Sequence, residues 1–172
     1  TFSVRSINEC LLGYVSNGTN FHDTGIFFAA YVNEDNPMID KLLREALNTR
    51  IVNRFLGYQS ARPEAVDKQV YALWNVLQKR KFRYSSVSNT SLSSNVVYSQ
   101  RVRTFDDALE SSQINCVDGS VLIASLLRAI NIDPILVRTP GHMFVGYYTD
   151  NSHKNKEFLE TTMIGDVDLD DF

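Results

Sequence analysis

The chain has 172 residues, 44% of them apolar and 22% charged, and carries a formal net charge of −3. That length suits one domain burying roughly two thirds of its unfolded surface, and the composition is ordinary for a globular protein. The mild acidity excludes an obvious nucleic-acid or anionic-membrane partner, no apolar stretch reaches the length of a membrane span, and two cysteines make a weak disulfide framework.

The first thirty-five residues read as strand and turn. Phe2 to Ile7 alternates, Asn17-Gly18 marks a turn, and Gly25 to Val32 is an apolar run rich in Phe. Asn36-Pro37 supplies a cap and a first helical position for a helix through about Leu47, with Thr49 to Leu56 expected to continue helically until near Gly57. Pro63 opens a second helix, in which Val66, Val70, Leu73 and Leu77 recur at helical spacing beside Trp74. The basic run Gln78-Lys79-Arg80-Lys81-Phe82-Arg83 closes that helix, where cations complement the helix dipole. Ser85 to Ser99 is rich in Ser and Asn and reads as a long loop. Thr104-Phe105-Asp106-Asp107 resembles a capping box and starts a short helix to about Ser111.

The last third runs from helix to strand. An apolar helix from Cys116 to Ile130 leads to a strand over Pro134 to Arg138. Pro140-Gly141 turns the chain into a strand from His142 to Tyr148, with Glu157 to Met163 as its antiparallel partner. The expected class is α+β, with helices grouped against an antiparallel sheet. The expected division is an N-terminal extension over residues 1–60 packed on a core over 61–172, the two forming one compact domain overall. The start at Thr1 rather than Met suggests an upstream piece lost by processing or truncation, and leans toward an extracytoplasmic compartment.

Cys116, His142 and Glu160 carry the chemistry. A thiol at a helix start sits where positive potential favours the thiolate and where free backbone N–H groups can meet an oxyanion. Asn115 is a plausible cap, and Asp118 is expected to turn toward the backbone. With a hairpin turn at Asp150-Asn151-Ser152, His142 falls directly opposite Glu160 on one face of the sheet. Any even slip keeps the two on that face. Asp150, at the hairpin tip, is the poorer orienter. Each residue alone has a bland reading, as core cysteine, strand-end histidine or solvated carboxylate. It is their order and strand parity that join them. Cys10 is left as a small core residue. His22 and His153 lack a ligand-like spacing to cysteine, so no metal and no other cofactor are expected.

From about Tyr71 onward the chain resembles the transglutaminase-like superfamily of papain-fold cysteine hydrolases, in its bacterial form. The residues that carry the likeness are Asn115-Cys116-Val117-Asp118, Leu126 to Ile130, Pro134 to Val137, Gly141-His142-Met143-Phe144-Val145-Gly146 and Phe158 to Thr162, preceded by Ser99-Gln100-Arg101-Val102-Arg103. The resemblance implies a papain-like core with a nucleophile at the start of a buried central helix and a histidine and an acid on the sheet. By position the triad is Cys116, His142 and Glu160, with Glu where the family usually has Asp. A side-chain oxyanion donor is also implied, Gln100 or its rival Gln113. The expected activity is acyl transfer or hydrolysis at an amide of a peptide or protein. The alternative is a catalytically silent domain whose cleft binds proteins.

Overall fold

A computed structural model describes residues 4–86 and 94–166. Among them the order is β1 (Glu9–Ser16), β2 (Asn20–Asp23), a 3-10 segment (Gly25–Tyr31), α1 (Pro37–Asn48), α2 (Pro63–Lys79), β3 (Arg83–Tyr84), β4 (Val97–Arg101), α3 (Phe105–Ser111), β5 (Gln113–Ile114), α4 (Cys116–Ala129), β6 (Pro134–Thr139), β7 (His142–Tyr148), β8 (Lys156–Leu159) and a 3-10 turn (Thr161–Met163). The class is mixed α and β, compatible with α+β. The strands form three small sheets, ordered β2-β1-β4, β3-β5 and β6-β7-β8. No helix among the described residues is long and apolar enough to cross a membrane.

The helices begin where their caps dictate. Asn36 accepts from the Met38 N–H at 2.9 Å and Pro37 takes the first position of α1, while Pro63 opens α2 in the same way. Thr104 caps α3 by accepting from the Asp107 N–H. The expected helix over Thr49 to Leu56 does not form. Arg50 takes a left-handed φ of 62° and stops α1 there. The buried Gln69 amide then holds the following segment open, accepting from the Leu56 and Gly57 N–H groups and donating to the Gly57 carbonyl.

The N-terminal strand also lies later than the alternation of Phe2 to Ile7 suggests. Phe2 itself lies outside the described residues, Val4 and Ile7 are almost fully exposed, and β1 begins at Glu9. A bulge between Leu11 and Gly13 breaks the period-two pattern inside the real strand, so the sequence there does not alternate. The turn at Asn17-Gly18 has positive φ at both residues, as a tight hairpin needs. Gly25 to Val32 is not a strand: Gly25–Tyr31 winds into the 3-10 segment, with Phe28 buried as its anchor. Of the expected loop over Ser85 to Ser99, residues 97–99 join β4 and residues 87–93 lie outside the described set.

β1 lies between β2 and β4, antiparallel to both. The first sixty residues therefore share a sheet with the rest of the chain, and α1 is tied to the end of α2 by a two-pronged Arg80–Glu45 ion pair with both bonds at 2.6 Å. The centre is α4, buried along its length from Val117 to Leu127 and packed chiefly on β7 and β6. A helix apolar on nearly all faces can be satisfied only by being surrounded.

The start of α4 is fixed by Asp118. Its carboxylate accepts from the Asn115 N–H at 3.1 Å, from the Arg103 N–H at 2.8 Å and from Arg103 Nη1 at 2.5 Å, while Asn115 Oδ1 caps the Asp118 N–H at 2.8 Å. The Asp118 side chain is 1% exposed and that of Arg103 17%. Asp118→Ala removes one partner of a buried charge pair together with half of a capping box. The expected loss is about 3–5 kcal/mol in a denaturant titration.

Candidate active site

Cys116 occupies the first helical position of α4 and is half-buried. The cap takes the Asp118 N–H, and the Gly119 N–H goes to the Asn115 carbonyl at 3.0 Å. The N–H groups of Cys116 and Val117, in the first turn, have no acceptor within the helix. Asp118 is turned away from the sulfur into its capping and Arg103 bonds, so no carboxylate is left to oppose a thiolate from inside the helix.

His142 begins β7, just after Gly141, whose φ of +77° makes the turn out of β6. Its Nε2 lies 2.7 Å from Glu160 Oε2. The two residues meet by a different route from direct opposition. β8 ends at Leu159, and Val145 pairs with Leu159, Gly146 with Phe158 and Tyr148 with Lys156, a register two residues away from the expected one. The cause is the hairpin loop. Asp150 accepts from the N–H groups of Ser152, Lys154 and Asn155 and from the Ser152 hydroxyl, which widens the turn until Thr149 N–H meets the Asn155 carbonyl. An even slip preserves the face, so Glu160 still reaches His142. Glu160 itself is not a strand residue but the cap of the Thr161–Met163 turn. Its Oε1 accepts from the Thr162 N–H at 3.0 Å and hydroxyl at 2.8 Å, leaving Oε2 for the imidazole. Asp150 is consumed in its own turn and takes no part.

Partial burial pushes the Glu160 carboxyl up, but the bonds from His142 and Thr162 outweigh it and hold the group below its ordinary range. An ionised Glu160 accepting at Nε2 makes that nitrogen the protonated one in neutral imidazole and leaves Nδ1 with the lone pair.

Cys116, His142 and Gln100 line one pocket of about 100 Å³, together with apolar Leu12, Phe28, Val117 and Met143. Gln100 reaches it from β4, opposite Cys10. Its Nε2 donates one hydrogen to the Arg101 carbonyl at 3.1 Å, which leaves the second amide hydrogen. Gln113 is exposed on β5 and is not among the residues lining this pocket. Two residues of the pocket wall, and one beside the site that does not line the pocket, carry no motif. Leu12 and Phe28 come from the N-terminal third. Tyr84 arrives through the parallel pairing of β3 with β5, opposite Ile114 and two residues before the cysteine. The Tyr84 phenol is raised by burial first, and then by the negative charge of Cys116 and Glu160. Strands of two residues leave no periodic trace, so only the long-range pairing of β3 with β5 identifies it.

The second cysteine is chemically different. Cys10 is 2% exposed, and burial pushes its thiol up to about 11. Both thiols are free. At pH 8 one equivalent of a thiol reagent is expected to react with the native protein, at Cys116 by peptide mapping, and the second only after unfolding.

Gly119 ties the helix to the acid. A Cβ there would stand 2.9 Å from Thr161 Cβ and 3.2 Å from Ile114 Cδ1, and Thr161 directly follows Glu160. Gly119→Ala should gain helix propensity, about 1 kcal/mol, yet lose more to overpacking, about 1–3 kcal/mol. The displaced Thr161 should also slow Cys116 alkylation, measured beside the denaturation midpoint. No family model, curated protein or solved structure matches this chain, so the site stands on its own geometry.

Proposed function

We propose that this protein is a cysteine-dependent acyl-transfer enzyme acting on amide bonds of peptides or proteins, of the transglutaminase-like, papain-fold kind. The observation that carries the reading is the single pocket shared by Cys116, His142 and Gln100, with His142 Nε2 bound to Glu160. The packing of α4 on the antiparallel sheet that bears His142 supports the same reading.

In this mechanism Cys116 Sγ gives its proton to His142 Nδ1 and attacks the amide carbonyl. The oxyanion takes hydrogen bonds from the Cys116 N–H and the free amide hydrogen of Gln100. Glu160 holds the imidazole and stabilises its charged form. His142 returns the proton to the departing amine as the C–N bond breaks, leaving a thioester on Cys116. Water, deprotonated by His142, then releases a carboxylic acid, or an amine takes the acyl group and forms a new amide. Both outcomes regenerate the thiol.

Alkylation by iodoacetamide tests this directly. Cys116 should react faster than the thiol of a free cysteine peptide, with a pH dependence that His142→Ala abolishes. Removing His142 should cost turnover of a peptide substrate about 10²–10⁴-fold, and Glu160→Ala should slow it without unfolding the chain. Labelling of Cys116 no faster than the free peptide would sink the catalytic reading in favour of a silent protein-binding cleft.

A further inference from the structure

A second and larger cavity, of about 700 Å³, adjoins the catalytic pocket. The two share Phe28, Arg138 and Met143, so these three side chains border both spaces. The pocket at Cys116 has room for a reacting amide and little more. The larger cleft lies in the size range of ligand sites that enclose most of their occupant.

Its lining mixes apolar side chains with charged ones, and the apolar part comes from distant parts of the chain. Phe28, Ala29 and Val32 stand on one side, on and just after the 3-10 segment Gly25–Tyr31, and Pro134 and Leu136 stand on the other, in β6. Pro134, Leu136 and Arg138 alternate along β6 and therefore share a face. β6 is also the outer strand of its sheet, paired only with β7 among the described strands. Such an edge offers backbone N–H and C=O groups to an added extended chain.

The charges around the cleft are already engaged. Arg138 pairs with Asp23 and lies against Gly25, where any Cβ would strike its guanidinium, and Arg128 pairs with Glu34 at 2.7 Å. Asp133 is taken by His153 at 2.8 Å. Each guanidinium is charge-compensated by a carboxylate, which weakens its pull on an acidic ligand, and the apolar part of the lining suits neutral apolar groups.

We infer that this cleft is the substrate-binding groove, taking an extended peptide segment with apolar side chains next to the amide presented to Cys116. The inference rests on the catalytic reading above and gives the N-terminal third of the chain a function, as one wall of the groove.

The probes are iodoacetamide, which needs only the catalytic pocket, and acetyl-Ala-Leu-Ala-chloromethyl ketone, which needs the groove as well. In the second case the Cys116 sulfur forms a bond to the methylene carbon and chloride leaves. The wild-type protein should react with the peptidyl ketone faster than with chloroacetone. Ala29→Trp, at an exposed position on the groove wall, should cut the peptidyl rate by at least about tenfold and leave the iodoacetamide rate unchanged. Ala30→Trp, on the same segment but not among the lining residues, should change neither. If Ala29→Trp slows iodoacetamide too, Ile26→Asp at the exposed rim decides, and its peptidyl rate alone should fall. A peptidyl rate no faster than chloroacetone, or one unmoved by both groove substitutions, overturns the groove. A wild-type iodoacetamide rate equal to that of a free cysteine peptide overturns the catalytic reading instead.

Discussion

The first turn of α4 depends on a carboxylate with almost no access to water. Asp118 satisfies two backbone N–H groups and the Arg103 guanidinium, and its own N–H is capped by Asn115. Burying such a charge is costly unless every lone pair has a partner, so the start of the helix has little freedom to shift. Behind it, the apolar faces of α4 are enclosed by β6, β7 and α1. The cysteine at the first position is held rigidly from one side and open to the pocket on the other. Preorganisation of this kind is what a nucleophile and its oxyanion donors require.

The histidine and its acid are fixed by separate means. His142 is set by the β6–β7 turn at Gly141, and Glu160 by the small 3-10 turn it caps. One carboxylate oxygen holds the turn while the other holds the imidazole, so the orienting bond is built on local structure rather than on a surface ion pair alone. The pair is about one third exposed on each side, and in solvent such a contact contributes little to stability. On the proposed catalytic reading, its value lies in selecting the tautomer and holding the imidazole in place. Gly119 against Thr161 completes the arrangement by bringing the acid-bearing turn into contact with the helix that carries the thiol.

The N-terminal third is part of the same construction. β1 sits between β2 and β4 and so stands beside Gln100, while the segment after β2 delivers Phe28 to the pocket. Asp23, Gly25 and Arg138 latch that segment to β6 at the junction of the two cavities. Removing the first sixty residues would take away two of the three strands of a sheet, a pocket wall and the partner of a pocket arginine together.

Much of this was legible in the chain itself. Caps at Asn36, Thr104 and Asn115, prolines at the first positions of α1 and α2, and an apolar run from Val117 onward determine where helices begin, because capping and burial act over a few neighbouring residues. Strand parity placed His142 and Glu160 on one face for any even change in hairpin length, since side-chain period in a strand is two. Only the tertiary structure decided the rest. The bulge in β1 hid a strand, the 3-10 winding of Gly25–Tyr31 replaced another, and Asp150 widened the hairpin enough to move Glu160 into a turn. The separation of Gln100 from Gln113, and the arrival of Phe28, Leu12 and Tyr84 at the cysteine, follow from pairings between segments far apart in sequence. Contacts of that range leave no local pattern, because each side chain involved is chosen to fit a surface that exists only once the chain has folded.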